Sequence, residues 1–395
     1  MSQKYAPLKD TKLFTPIKLG NYELHHRIAM APCTRMRGIK ESDGIFVPGD
    51  LMAEYYGQRA TKGGLLISEA TDISHYAGGY PGIPGIFTSS QIEGWKKVTN
   101  AVHAKGGYIF LQIWHTGRAS PPAFLGGKAP ASSSNHPMEG SWLEGTSCAS
   151  IPPKPLTVDE IRTIVQDFAG AAKRAIEAGF DGVEIHGANG YLLEQFLHDN
   201  INDRTDEYGG SIEKRCKFPL DVLKAVCDAI GSDKVGIRLS PWNYFQSTRD
   251  NNRLEHWSYL CEQIANLPAS QRPVYVHMVE PRFDEVLDEQ QKVESLAQND
   301  KESTVSLLPF RNILQQGGIT FLSTGCFNWE NSVPKLESGA ADIICFGRWF
   351  IGNPDLPQRL ADGIPLTKYD RSTFYFTVPP EKGYTDYPIY AAEKA

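Results

Sequence analysis

Short β-branched and aromatic runs recur along the chain, and several are followed by stretches whose apolar residues return every three or four positions. The runs are RIAMAP (27–32), GLLISEA (64–70), YIFLQIW (108–114), GVEIHG (182–187), VGIRLS (235–240), VYVHMV (274–279), ITFLST (319–324) and DIICFG (342–347). Between them lie amphipathic segments: ESDGIFVPGDLMAEYYGQRAT, IEGWKKVTNAVHAKG, VDEIRTIVQDFAGAAKRAIEAG and IEKRCKFPLDVLKAVCDAIG. Runs of the first kind read as strands and segments of the second as helices. In the third segment Ile161, Ile164, Val165, Phe168, Ala172 and Ile176 form one stripe. Thr157 with Glu160 is a capping box that starts this helix, and Gly179 stops it.

Strand and helix repeated eight times predict a single (β/α)8 barrel over residues 1–395 rather than two dinucleotide-binding halves. GGYPGIPG (78–85) is glycine-rich, but no GxGxxG follows a strand and there is no Walker loop. The Pro-, Ser- and Gly-rich segment at about 117–156 is too long for an ordinary connection, which predicts a capping insertion after the third strand. A charged, Gln-rich stretch at about 280–305 reads as mobile, and a C-terminal tail begins at about 365.

Strand parity says which side chains enter the barrel, because successive residues point to opposite faces. Val235, Ile237 and Leu239 share one face of the fifth run, so Arg238 points into the barrel or its mouth. By the same count Glu184 and His186 point inward from the fourth run, and Gln112 and Trp114 from the third. These polar groups converge on the C-terminal strand ends, where barrel active sites are built. Taken singly, each has a plainer reading. His186 reads as a core histidine, Arg238 as half of a buried ion pair with Glu184, Gln112 as a loop tie, and Tyr375, Tyr384 and Tyr387 as packing. Five inward-facing residues from three strands, meeting at one rim, favour a site.

Composition narrows the picture. A net charge of −6 disfavours nucleic acid or an anionic membrane as partner. The seven cysteines are scattered with no CxxC pair, which gives no support for a metal or a dithiol centre and suits a reducing compartment. The beginning of the chain lacks a signal-peptide core and no run of 18 apolar residues occurs, so the cytoplasm is expected.

The segment HGANGYLLEQFLHDNINDRTDEYGGSIEKRCKF (186–218) closely resembles the Old Yellow Enzyme family of flavin-dependent ene-reductases. The likeness continues in residues 13–37, 65–71, 85–120, 346–360 and 368–388, covering nearly the whole chain. It implies non-covalent FMN at the barrel mouth, NADPH or NADH as reductant, and α,β-unsaturated aldehydes or ketones as substrates. His186 and Asn189 would hydrogen-bond the enone oxygen, as an oxyanion hole does, and would also bind phenols. Tyr191 would protonate the α-carbon, a tyrosine of ordinary pKa near 10 being protonated at pH 7.

The resemblance also places the cofactor. Arg238 would face the flavin edge that gains charge on reduction, Gln112 its pyrimidine edge and Thr34 its O4 region, with Pro32 and Ala70 alongside. Arg348 and the backbone around Gly325, Cys326 and Gly347 would hold the phosphate. Trp114, Phe245 and Tyr375 would line the substrate pocket. Cys33 stands where relatives often carry Leu or Met, and Ala70 where Gly is common. Retention of Tyr191 favours net reduction over the isomerase chemistry of ergot-pathway relatives that carry Phe. The alternatives are a reductase dedicated to one large enone metabolite, or a flavin-binding barrel without turnover. Either a monomer or a homodimer is expected.

Overall fold

Eight parallel strands, each found within one of the sequence runs, close into a barrel among the described residues of the computed structural model, which are 5–142, 144–284, 291, 294 and 305–390. They are β1 (Ile28–Met30), β2 (Leu65–Ile67), β3 (Tyr108–Trp114), β4 (Gly182–Gly187), β5 (Val235–Leu239), β6 (Tyr275–Val279), β7 (Thr320–Thr324) and β8 (Ile343–Phe346). Each pairs with the next, and β8 returns to β1 through Cys345 opposite Ala29. Helices α1 (Asp50–Arg59), α2 (Ser89–His103), α3 (Val158–Glu177), α4 (Ile212–Ile230), α5 (Arg253–Ala265), α6 (Leu308–Gln316), α7 (Ser332–Glu337) and α8 (Leu356–Asp362) follow β1 to β8 in turn. This is a (β/α)8 barrel. None of the described helices is long and apolar enough to cross a membrane.

Alternation along the strands divides the apolar residues into two cores. Ile109, Leu111, Ile113, Val183, Ile185, Val235, Ile237 and Leu239 pack outward with the helices. Ala29, Leu65, Ile67, Phe110, Tyr275, Leu322, Ile343 and Cys345 fill the barrel, joined by Leu19 and Leu24. Those two leucines come from an antiparallel hairpin, Ile17–Leu19 with Tyr22–Leu24. Tyr22 Oη also donates to Asp181 O at 2.7 Å.

Helix ends match the local chemistry. Thr157 and Glu160 form the expected capping box, Thr88 and Gln91 form a second at α2, and Gly179 adopts φ +87° just beyond α3. The first amphipathic segment needs correction. Its beginning is an antiparallel pair, Ile39–Ser42 with Ile45–Val47, and α1 starts only at Asp50. Gly44 at φ +73° permits the reversal, and β-branched Ile45 and Val47 suit the second strand.

The 117–156 segment is short 3₁₀ turns plus a small parallel pair, Ala131–Ser132 with Lys154–Pro155. It is tied to the loops after β4 and β5. Ser132 Oγ donates to Gln195 Oε1 at 3.0 Å, and Arg118 Nη2 donates to Gln246 O at 2.7 Å. The tail is clasped by the loop after β1, where Arg35 donates to Gly383 O and Phe374 O and Arg37 to Thr373 O and Pro380 O. Most of the 280–305 stretch lies outside the described residues.

One glycine is dictated by the filled interior. A Cβ on Gly236 would overlap the Tyr275 ring, which occupies the neighbouring strand inside the barrel. Gly236→Ala is therefore expected to destabilise the protein by about 1–3 kcal/mol. Urea denaturation measures this, and unchanged stability would contradict the packing described.

Candidate active site

Arg238 is 8% exposed on β5, opposite His186 on β4 and His277 on β6. Its guanidinium makes no hydrogen bond or ion pair with any described residue, and its Nε is sealed from solvent with no partner. An unpaired buried cation is costly, and in a binding protein it marks a place for an anionic or electron-rich group. The structural pairing with Glu184 does not form. Glu184 instead accepts from Gln112 Nε2 at 2.8 Å and pairs with His277 Nδ1 at 2.8 Å.

His186 is neutral in this setting. Burial, then the nearby Arg238 charge and His277, hold it well below the ordinary histidine pKa. Its Nδ1 accepts the Ala188 N–H at 3.3 Å, which leaves the proton on Nε2 as a hydrogen-bond donor. Trp114, His186 and Tyr191 form one aromatic cluster. Trp114 stacks on His186 at 5.9 Å, and Tyr191 meets them edge-on at 4.6 and 5.1 Å.

The loop after β4 is held by two buried residues of the short helix Leu192–Leu197. Glu194 accepts the Gly190 N–H and Ser240 Oγ, the latter at 2.6 Å, while Ser240 Oγ accepts the Asn189 N–H at 2.8 Å. Gln195 donates to Gly190 O and Thr116 O. These contacts sustain left-handed backbone at Asn189, φ +58°, and Gly190, φ +77°. Glu194 and Gln195 were not singled out from sequence, although an acid and an amide within the buried apolar run LLEQFL signal internal partners.

Two further residues support the cluster. Asp72 Oδ1 accepts Trp114 Nε1 at 2.6 Å. Burial raises the Asp72 carboxyl to about 8 against the opposing effect of that bond. Tyr80 donates its hydroxyl proton to Ala119 O at 3.2 Å and also hydrogen-bonds Tyr191, for which it therefore acts as acceptor.

The remaining candidates surround the same mouth. Pro32, Cys33 and Thr34 are half-buried in the loop after β1, and Ala70 is buried after β2. Burial raises the Cys33 thiol against the lowering influence of Arg35, Arg238, Arg348 and Arg59. Gly347 approaches Cys33 so closely that an added Cβ would lie 3.3 Å from its sulfur. Gly325 O accepts from Arg282 Nε at 3.0 Å, and Arg348 Nη2 donates to Asp284 O at 2.7 Å. Cys326 follows with φ +53°. Phe245 is half-buried in the loop over Gly190, and its carbonyl would lie 3.0 Å from a Cβ there. Tyr375 is 50% exposed, on the tail beside Tyr80.

Among the described residues, then, a cation without a partner and a neutral imidazole donor stand on adjacent strands of a (β/α)8 barrel, with the Gln112 amide on the strand beyond. Residues 12–367 match the NADH:flavin oxidoreductase / NADH oxidase family, and the chain belongs to it, within the Old Yellow Enzyme group. It is 62% identical over 377 residues to the flavin oxidoreductase hxnT of Emericella nidulans, covering 95% of this chain and 97% of that protein. Identity to 12-oxophytodienoate reductase 1 of Oryza sativa subsp. japonica is 46%, over 98% of this chain and 95% of the relative. Among solved structures, morphinone reductase in complex with tetrahydroNAD aligns with a TM-score of 0.84 at 39% identity, covering 98% of this chain and 99% of that one. The old yellow enzyme homologue from Zymomonas mobilis aligns at 0.84 and 37%, over 96% and 100%. The protein is thus an FMN-dependent flavin oxidoreductase that uses a nicotinamide coenzyme.

Two stability tests follow from the electrostatics. Arg238→Met is expected to leave the ligand-free protein at least as stable as wild type. A loss above about 1 kcal/mol in urea denaturation would mean that the chain itself satisfies the guanidinium. The folded Asp72 carboxyl keeps its proton up to about pH 8, whereas the unfolded one ionises near pH 4. Its contribution is therefore lost as pH rises through that window, by about 1.4 kcal/mol per unit. Wild-type stability relative to Asp72→Asn should fall between pH 5 and 7.5, and a constant difference would contradict this assignment.

Proposed function

We propose that the protein reduces the activated C=C bond of α,β-unsaturated aldehydes and ketones at the expense of NADPH or NADH. The observation that carries this reading is the unpaired Arg238 guanidinium on the strand next to a neutral His186 that keeps an Nε2–H to donate. When bound, FMN would supply the redox chemistry, that of a hydride carrier between the nicotinamide and the β-carbon of the enone.

The residues present fit that cofactor. Arg238 would neutralise charge at the flavin edge, and Gln112 would bond the pyrimidine ring. Thr34, Pro32 and Ala70 would border the ring system, while Arg348 and the backbone of Gly325, Cys326 and Gly347 would hold the phosphate. His186 and Asn189 then donate to the substrate oxygen and stabilise the charge that develops there. Tyr191 holds the proton for the α-carbon, with its hydroxyl oriented by Tyr80. Trp114, Phe245 and Tyr375 shape the apolar pocket, and simple phenols are expected to occupy it as enolate mimics. The names of the similar proteins, oxophytodienoate and morphinone reductases, favour large cyclic enones as a second, narrower reading. A substrate panel separates broad from dedicated use.

Anaerobic mixing of the flavin-loaded protein with NADPH, and then with 2-cyclohexenone, tests both half-reactions. Tyr191→Phe should leave flavin reduction intact and slow enone turnover by about 10²–10⁴-fold. Equal loss in both half-reactions would remove Tyr191 from its role, and failure of wild type in either would remove the proposal.

A further inference from the structure

One buried carboxylate inside the barrel plays no part in the chemistry above. Glu184 is fully buried on β4, level with Gln112 on β3 and Gly236 on β5. Its two oxygens are both engaged, Oε1 by Gln112 Nε2 and Oε2 by His277 Nδ1, each at 2.8 Å. A carboxylate oxygen only accepts, so both partners must present donors. The Gln112 amide therefore turns its NH2 towards Glu184, and the His277 ring carries its proton on Nδ1.

The far ends of these side chains are set by the same two bonds. The Gln112 carbonyl oxygen accepts no hydrogen bond from any described residue, and His277 Nε2 is buried without a partner. An amide free to rotate about its last torsion could offer a ligand either its oxygen or its nitrogen. A charge-assisted bond to a buried carboxylate removes that choice.

We propose that Glu184 is a positioning residue that fixes the Gln112 amide with its carbonyl oxygen available to the cofactor, so that the site selects a ring edge bearing an N–H donor. This inference rests on the FMN reading, in which that edge is the imide N3–H of the isoalloxazine. A ligand lacking this hydrogen leaves a buried acceptor unpaired, and the site cannot adapt by turning the amide over. A glutamine at position 184 has both a donor and an acceptor, so it can serve Gln112 in either orientation and the constraint relaxes.

The test measures binding of FMN and of N3-methyl-FMN to the apoprotein, for wild type and Glu184→Gln. Wild type should prefer FMN by at least about tenfold, the scale of one lost hydrogen bond at a buried acceptor. In Glu184→Gln the ratio should shrink severalfold. The methyl group's bulk is common to both proteins, and a purely structural role for Glu184 would weaken both ligands alike and leave the ratio unchanged. An unchanged ratio overturns the inference. Failure of wild type to bind FMN at all overturns the flavin reading instead.

If Glu184→Gln does not fold, the wild-type holoprotein with 15N-labelled glutamine gives the same answer. The Gln112 side-chain amide, assigned by its absence from Gln112→Ala, should show a downfield, slowly exchanging proton. An ordinary, rapidly exchanging amide pair would contradict the lock.

Discussion

A guanidinium buried at the mouth of a closed barrel, with no counter-ion among the described residues, is the constraint on which the site depends. Desolvating a cation costs several kcal/mol unless something answers its charge. Here the carboxylate that could do so, Glu184, is occupied by Gln112 and His277. The interior is thus arranged so that positive charge remains available at the end where ligands enter. The same charge helps keep His186 neutral, and a neutral imidazole with Nδ1 accepting from the backbone offers a fixed N–H rather than a mobile proton. One cation without a described partner thus bears both on where negative charge is favoured and on the protonation of the neighbouring imidazole.

The fold separates the groups that must not move from those that must reach. Gln112, Glu184, His186, Arg238 and His277 stand on strands whose outward neighbours are locked into the helical layer. Asn189 and Tyr191 stand on a loop, and that loop is given rigidity by Glu194, Gln195 and Ser240 from below. Trp114 is braced by Asp72, and Tyr191 by Tyr80. Gln195 also receives Arg118 N and Ser132 Oγ from the 117–156 segment. That segment is therefore coupled to the loop that carries Asn189 and Tyr191 through one buried amide.

Much of this was legible in sequence because two periodicities carry it. Short β-branched and aromatic runs marked all eight barrel strands, and parity along three of them placed Gln112, Glu184, His186 and Arg238 inside. Parity gives the face of a side chain but not its partner, so Glu184 was open to pairing with Arg238 until the structure showed it bonded to Gln112, across from it on β3, and to His277 on β6. The hairpins at 17–24 and 39–47 escaped because three of their four strands carry a charged residue and none is fully buried, so no long apolar run marks them. Asp72 and Tyr80 escaped for a different reason. Their roles come from contacts between different βα units, which no local spacing encodes.

The central claim is that Arg238 faces the edge of a bound flavin while the His186–Asn189 pair holds the oxygen of a second ring lying against it. Titrating the flavin-loaded protein with p-hydroxybenzaldehyde while recording its visible spectrum tests that arrangement most directly. A phenolate seated on the donor pair must stack against the flavin, and a broad long-wavelength charge-transfer band is the predicted result. A protein that stays colourless after reconstitution with FMN, or a yellow one whose spectrum ignores the phenol, would contradict the account.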